Sequence, residues 1–341
     1  MNKPSGRGRE FFGCLGILAL VAAVAAVLIL VLGRMAWVKG WGKDSDVGRP
    51  DGPAVDAGPV LVGEDVSGEM KSLFEMVRNS SHVTGNKMYS AIAGQTRFVY
   101  DANEDEINAY STIRHAEEGD VPMVVLNAGL VRFAHVGALV LAAANNGRTN
   151  QFESFVHTLR NEWQGKLSVV NALEFLQANG LLTSIDEKIC DEARSIEAGM
   201  ILAVLSHEVG HLALGHLFRD GKSEDNLEIA RNREREADSF ASSVISASPF
   251  GTHMFEGFFL FHFAMACSER FNTDDRKMDH PSSCERLVNF VRQNRSRAEA
   301  LGVTEHDVER LMAVRAAGGE RGGGGDAARP RRGDAVTGGG L

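Results

Sequence analysis

Two histidines four residues apart with a glutamate beside the first, in the run His207-Glu208-Val209-Gly210-His211, are the residues of this chain best suited to hold and use a metal ion. On a helix that spacing stacks His207 and His211 one turn apart on one face, where both rings reach a single zinc. Glu208 then lies beside the ion rather than on it, placed to take a proton from water and hand it to a leaving amine, which is the chemistry of peptide-bond hydrolysis. The competing reading is a set of hydrogen-bonded core histidines. It requires a separate polar partner for each of His207, His211 and the nearby His216.

A catalytic zinc takes three protein ligands and keeps one position open. The extended pattern with a glycine and a third histidine after the pair is excluded, because positions 214 and 217 hold Leu214 and Leu217. A glutamate on the next helix is the alternative. Read at helical period, positions 230, 234, 237, 238, 241 and 245 form one face of small and apolar residues interrupted by Glu234 and Asp238. Glu234 is the expected third ligand. Asp238, one turn later, is placed to accept the second ring N–H of a ligating histidine. Glu236 falls on the flank with Arg233 and Arg235 and reads as a solvated or ion-paired charge. The bland alternative makes Glu234 and Asp238 ordinary surface charges on a rotated helix.

The elements that must carry these groups are legible. Residues 197–206, ahead of His207, are helix formers without proline and with apolar residues at helical spacing, so the pair belongs to a long, mostly buried helix. Residues 255–267 are strongly apolar but too few to span a bilayer and include Glu256 and His262, which points to a core helix beneath the site. Residues 11–33 carry no charge and are long enough to cross a membrane, with Trp37 and Trp41 following at the level of an aromatic belt. A retained single-pass anchor is expected, against the alternative of a cleaved signal. Cys14 opens this run instead of closing it, which argues against a lipoprotein anchor. Lys3, Arg7 and Arg9 nearly balance Arg34, Lys39, Lys43 and Arg49 across it; the short basic tail leans toward a catalytic domain outside the cytoplasm.

The remaining organisation is a basic tail at 1–10, a Gly, Pro and Asp linker at 34–65, a domain at 66–315 and a Gly-rich, low-complexity tail at 316–341 that is expected to be disordered. The four cysteines make neither a metal knuckle nor a disulfide framework, and the net charge of −9 leaves no footprint for nucleic acid.

The two metal motifs, Ser206 to His211 and Arg233 to Asp238, resemble those of the membrane-associated zinc peptidases that include the CAAX prenyl protease, the HtpX heat-shock protease and the Oma- and BepA-type quality-control proteases. Three further segments are similar to that family: Ile107-Asn108-Ala109-Tyr110 to its Asn-Ala-aromatic strand, residues 122–130 to the strand and turn that follow, and Asp279-His280-Pro281 with Arg286 to its His-Pro…Arg element. The resemblance implies an α+β fold, a mainly helical zincin-like domain with a small edge-strand sheet behind one transmembrane helix. It implies a zinc endopeptidase of the gluzincin kind, one Zn2+ on His207, His211 and Glu234, Glu208 as base, and His280 near the metal on the substrate side. Without the resemblance, His280 reads as the residue that leads into a helix starting at Pro281, and Arg286 as support for the site or a surface charge. His216 occurs at this position in the family and also suits a helix-end hydrogen bond.

The chain departs from the family in two places. About 132–192 is an insertion, expected to form a lid, a gate or an added helical subdomain, and apolar spacing at Val169, Leu173, Phe175 and Leu176 predicts helix there. Asp279 stands where a small hydroxyl residue is expected. An extended polypeptide substrate is expected to pair with an edge strand at 121–126, with unfolded or membrane-bound proteins as the client class and the bilayer as the other partner. Two rivals are a catalytically inactive membrane-tethered metal-binding scaffold and a helical adaptor without zinc.

Overall fold

The computed structural model describes residues 66–104, 106–116, 119–161, 169–181, 185–218, 227–247, 252–268, 281–306 and 308. The expected span 11–33, the linker, the Gly-rich tail and His280 lie outside the described residues.

The described chain is mainly helical with one small sheet. Helix α1 (Val66–Arg78) buries Met70, Phe74 and Val77, the spacing of a single apolar stripe. A short turn α2 (Ser81–Thr84) and helix α3 (Lys87–Gln95) follow, each opened by a side-chain cap: Ser80 accepts from the Val83 amide, and Asn86 from the amides of Met88 and Tyr89. Strands β1 (Arg97–Asp101), β2 (Ala109–Ala116) and β3 (Gly119–Asn127) form a mixed sheet in the order β1-β3-β2, with β1 parallel and β2 antiparallel to β3.

This order corrects the expected position of the edge strand. Residues 121–126 lie in β3, the centre of the sheet, where both sides are already paired. The physical reason is in the strand itself: Val124, Val125 and Leu126 are a continuous apolar run, the pattern of a strand covered on both faces. The free edges belong to β1 and β2. Of these, β2 packs directly against the helix that carries the histidine pair, and is the more exposed along its length.

From Asn127 the chain turns straight into α4 (Ala128–Asn145), then α5 (Thr149–Asn161), α6 (Val169–Ala178) and α7 (Glu187–Ala213), followed by α8 (Leu227–Ser246), α9 (Thr252–Ser268), α10 (Ser283–Gln293) and α11 (Arg295–Ala300). The region expected as an insertion is helical, and its first part is core: α4 is buried along nearly its whole length and packs on α7. Among the described residues α4 is the one helix long and apolar enough to cross a membrane, and 83% of it is buried within the fold. Phe255, Phe258, Leu260 and Phe263 of α9 are likewise buried, against α7 and against Phe290 of α10, whose ring stacks on Phe258 with centroids 4.3 Å apart.

Helix α7 is the hub. It starts at Asp186, whose side chain accepts from the Ile189 amide, and touches α1, α3, α4, α8, α9, β2 and β3. Residues 199–206 are buried on all sides, which explains why this helix has little amphipathic contrast.

Candidate metal centre

The last two turns of α7 carry His207, Glu208 and His211, and α8 crosses them with Glu234 toward the pair. The Nε2 atoms of His207 and His211 lie 3.0 Å apart, and Glu234 places Oε2 3.3 Å from the first and Oε1 3.2 Å from the second. Four donor atoms thus face one point. Donors about 2.0–2.2 Å from a tetrahedral ion lie roughly 3.3–3.6 Å from one another, so these separations are close to what such an ion needs.

The rings are held from behind. His207 Nδ1 donates to Asp238 Oδ1 at 2.9 Å, as expected from the helical face, which turns Nε2 toward Glu234. Asp238 is gripped by Arg286 of α10, whose Nε donates to Oδ2 at 2.9 Å and Nη2 to Oδ1 at 2.7 Å, a two-point contact in which both side chains are largely buried. Arg286 is therefore the support for the site and not a surface charge. The α8–α10 seam is tied once more by Arg235, whose Nε donates to Glu285 Oε1 at 2.9 Å.

His211 has its own support, which the sequence did not reveal. Gly215 sits at φ +73, a left-handed conformation natural to glycine, and folds the chain back so that the His216 amide donates to the His211 carbonyl at 3.0 Å. The His216 ring then lies beneath His211, with their Nδ1 atoms 3.1 Å apart. When His211 keeps its Nε2 lone pair free, Nδ1–H donates to His216, and His216 Nε2–H donates to Glu236 Oε2 at 2.9 Å. Glu236 was expected on a solvated flank, and its side chain is indeed exposed. It pairs with an imidazole because the fold-back carries His216 to that flank, and a glycine just past the end of a predicted helix was the signal available for it.

The electrostatics favour a cation. Burial opposes an imidazolium at His207, yet its hydrogen bonds to Asp238 and Glu234 prevail and push it up to about 10. Burial alone would raise Glu234, but the hydrogen bonds from His207 and His211 hold it well below the usual carboxylate range. Asp238 is likewise depressed against its burial by the Arg286 charge and by His207. Arg286 is raised, because the charges of Asp238, Glu234 and Glu208 outweigh its own burial. Once a metal ion displaces the proton of His207, the three acidic side chains Glu208, Glu234 and Asp238 face a single guanidinium, a surplus that a divalent ion would balance. Glu208 itself is 9% exposed, next to His207 on α7.

Beneath the site, His262 of α9 is enclosed by Phe258, Phe261 and Phe290. Burial lowers its pKa to about 3, with Arg286 and His207 adding to the drop and Asp238 opposing it. Between pH 3 and about 6.5 the unfolded chain therefore binds a proton here that the folded chain refuses. Stability should fall by roughly 1 kcal/mol per pH unit as pH drops through that window from this residue alone. His262→Leu is expected to flatten that slope in urea melts at pH 4, 5 and 6; an unchanged slope would count against a neutral buried imidazole.

The family model described as Peptidase U49 matches residues 182–303, the stretch that contains α7 to α10 and the converging His207, His211 and Glu234. The match indicates a peptidase family, the coarser part of what the resemblance implied. The comparisons with curated proteins and with solved structures return no match.

Proposed function

We propose that the chain is a zinc-dependent endopeptidase of the gluzincin kind, tethered to a membrane by residues 11–33, that cuts unfolded or membrane-associated polypeptides on the extracytoplasmic side. The carrying observation is the convergence of His207, His211 and Glu234, with ligand atoms all within 4.8 Å of one another, on a stretch matched by a peptidase family. A zincin-like fold and kinship with the CAAX prenyl protease and HtpX types belong to the same proposal and rest on the motifs. A zinc ion held by these three side chains would polarise the scissile carbonyl and lower the pKa of its water toward roughly 7.

The protein's own groups supply the rest. Glu208 removes the proton of the attacking water and returns it to the departing amine. Asp238, held by Arg286, fixes the tautomer of His207, and His216 with Glu236 does the same for His211. The substrate backbone pairs with the outer edge of β2, since β3 is closed on both sides and β2 lies against α7. Recognition through backbone groups suits clients that present extended chain, and His280 remains the candidate for steadying the oxyanion.

The test uses the full chain in detergent with unfolded casein. Cleavage should stop when a chelator strips the protein, return on adding zinc alone, and fail to return in His211→Ala. Casein cleavage that survives complete stripping would sink the metallopeptidase reading, and a zinc-replete protein that cuts nothing unfolded would favour the inactive scaffold.

A further inference from the structure

A second group of potential ligands lies toward the opposite end of α7. Glu192 of α7 and Glu256 of α9 are 8% and 2% exposed, and both face Asn145 at the end of α4. Asn145 Nδ2 donates to Glu192 Oε1 at 2.7 Å and reaches Glu256 Oε2 at 3.4 Å, while Asn146 Nδ2 donates to Glu192 Oε2 at 3.0 Å. His253, one turn before Glu256, places Nδ1 2.9 Å from Glu256 Oε2 and 3.8 Å from Glu192 Oε1. The backbones here touch: a Cβ on Gly199 would lie 2.0 Å from the Met254 carbonyl oxygen, and one on Gly257 1.9 Å from that of Ile196. Only two glycines allow α7 and α9 to close on each other this far, and the closure forces the two acids together.

Two buried acidic side chains at one point repel each other when both are ionised, and the partly exposed His253 imidazole that lies against both is a side chain that can serve a cation as a ligand. The hydrogen bonds leave a gap of the right kind. Glu256 Oε1 and Asn145 Oδ1 are both buried and have no hydrogen-bond partner among the described residues. An ionised Glu256 Oε1 can only accept, from a donor or by binding a cation. The ligand atoms of Glu192, His253 and Glu256 lie within 4.8 Å of one another.

We propose that Glu192, His253 and Glu256 form a second site for a divalent cation, structural rather than catalytic. An imidazole among carboxylate oxygens suits zinc or manganese better than calcium. The ion would join α7 to α9 at the crossing that sets the position of the hub helix, beside Asn145 at the end of α4. Glu192 precedes His207 by 15 residues, on the order of 22 Å along the helix, so the two sites bind independently. His253 is partly exposed and gives the ion a route from solvent.

The test removes the first site to count the second. The full chain carrying His207→Ala and His211→Ala is stripped with chelator, dialysed against Zn2+ alone and assayed for bound zinc and for Tm. One zinc per chain and a Tm rise of several degrees on loading are expected. Adding Glu256→Gln, or the milder His253→Gln at a partly exposed position, should weaken retention at least about 10-fold and abolish the Tm rise. No retained zinc in the folded double variant would overturn the second site, as would zinc retention and a Tm rise that both substitutions leave untouched. Neither readout involves proteolysis, so the result stands apart from the fate of the peptidase reading.

Discussion

Glu208→Gln is expected to cut casein turnover by about 10²–10⁴-fold, the range over which a positioned general base contributes. Zinc at His207, His211 and Glu234 should stay bound. The substitution preserves volume and helix propensity at a buried position and removes only the ability to accept and return a proton. KM for a peptide substrate should change little compared with kcat, because the glutamine keeps the shape of the side chain beside His207. The informative comparison is with His211→Ala, which should lose both zinc and turnover. If Glu208→Gln digested casein at the parental rate, hydrolysis would have to be assigned to other residues.

The largest effect on stability is expected from Arg286→Met. Arg286 makes two donor contacts to Asp238, and both side chains are largely buried. Removing the guanidinium leaves a carboxylate buried beside Glu234 and Glu208, and breaking a buried pair in this way costs about 3–5 kcal/mol. The same change frees Asp238 from its fixed orientation, so zinc affinity should drop by about 10–100-fold through His207. The pairing argument has a further consequence. Adding Asp238→Asn to Arg286→Met removes the uncompensated charge, and part of the lost stability should return in urea melts while zinc affinity stays low. A double variant no more stable than Arg286→Met would mean that Arg286 supports the fold through packing and not through its partner.

The convergence of His207, His211 and Glu234, with Asp238 behind His207, could be read from spacing, because these residues lie on two regular helices where position fixes direction. Glu234 and Asp238 were recoverable for the same reason: two acids on an otherwise small and apolar stripe must meet something polar. His216 and Glu236 were not, since their contact depends on a chain reversal at Gly215 that periodicity cannot express. The position of 121–126 in the sheet was misjudged because β1, earlier in the chain than β2, pairs in parallel on the side of β3 that β2 leaves open, and no local pattern announces that pairing. The stretch about 132–192 was left open between a lid, a gate and an added helical subdomain, and residues 136–144 within it are core, since composition alone does not distinguish an apolar insertion from an apolar scaffold. The Glu192–His253–Glu256 group went unnoticed because its members come from two helices about sixty residues apart and form no local pattern.

The placement of α7 at the centre of the fold has a dynamic consequence. Its amides can exchange with solvent only when most of the domain opens, whereas α8, with Leu227, Glu228 and Ile229 all exposed, begins at the surface. Amide exchange should therefore be slower in the enclosed stretch 199–206 that leads to the two imidazoles than in the first turn of α8, ahead of Glu234.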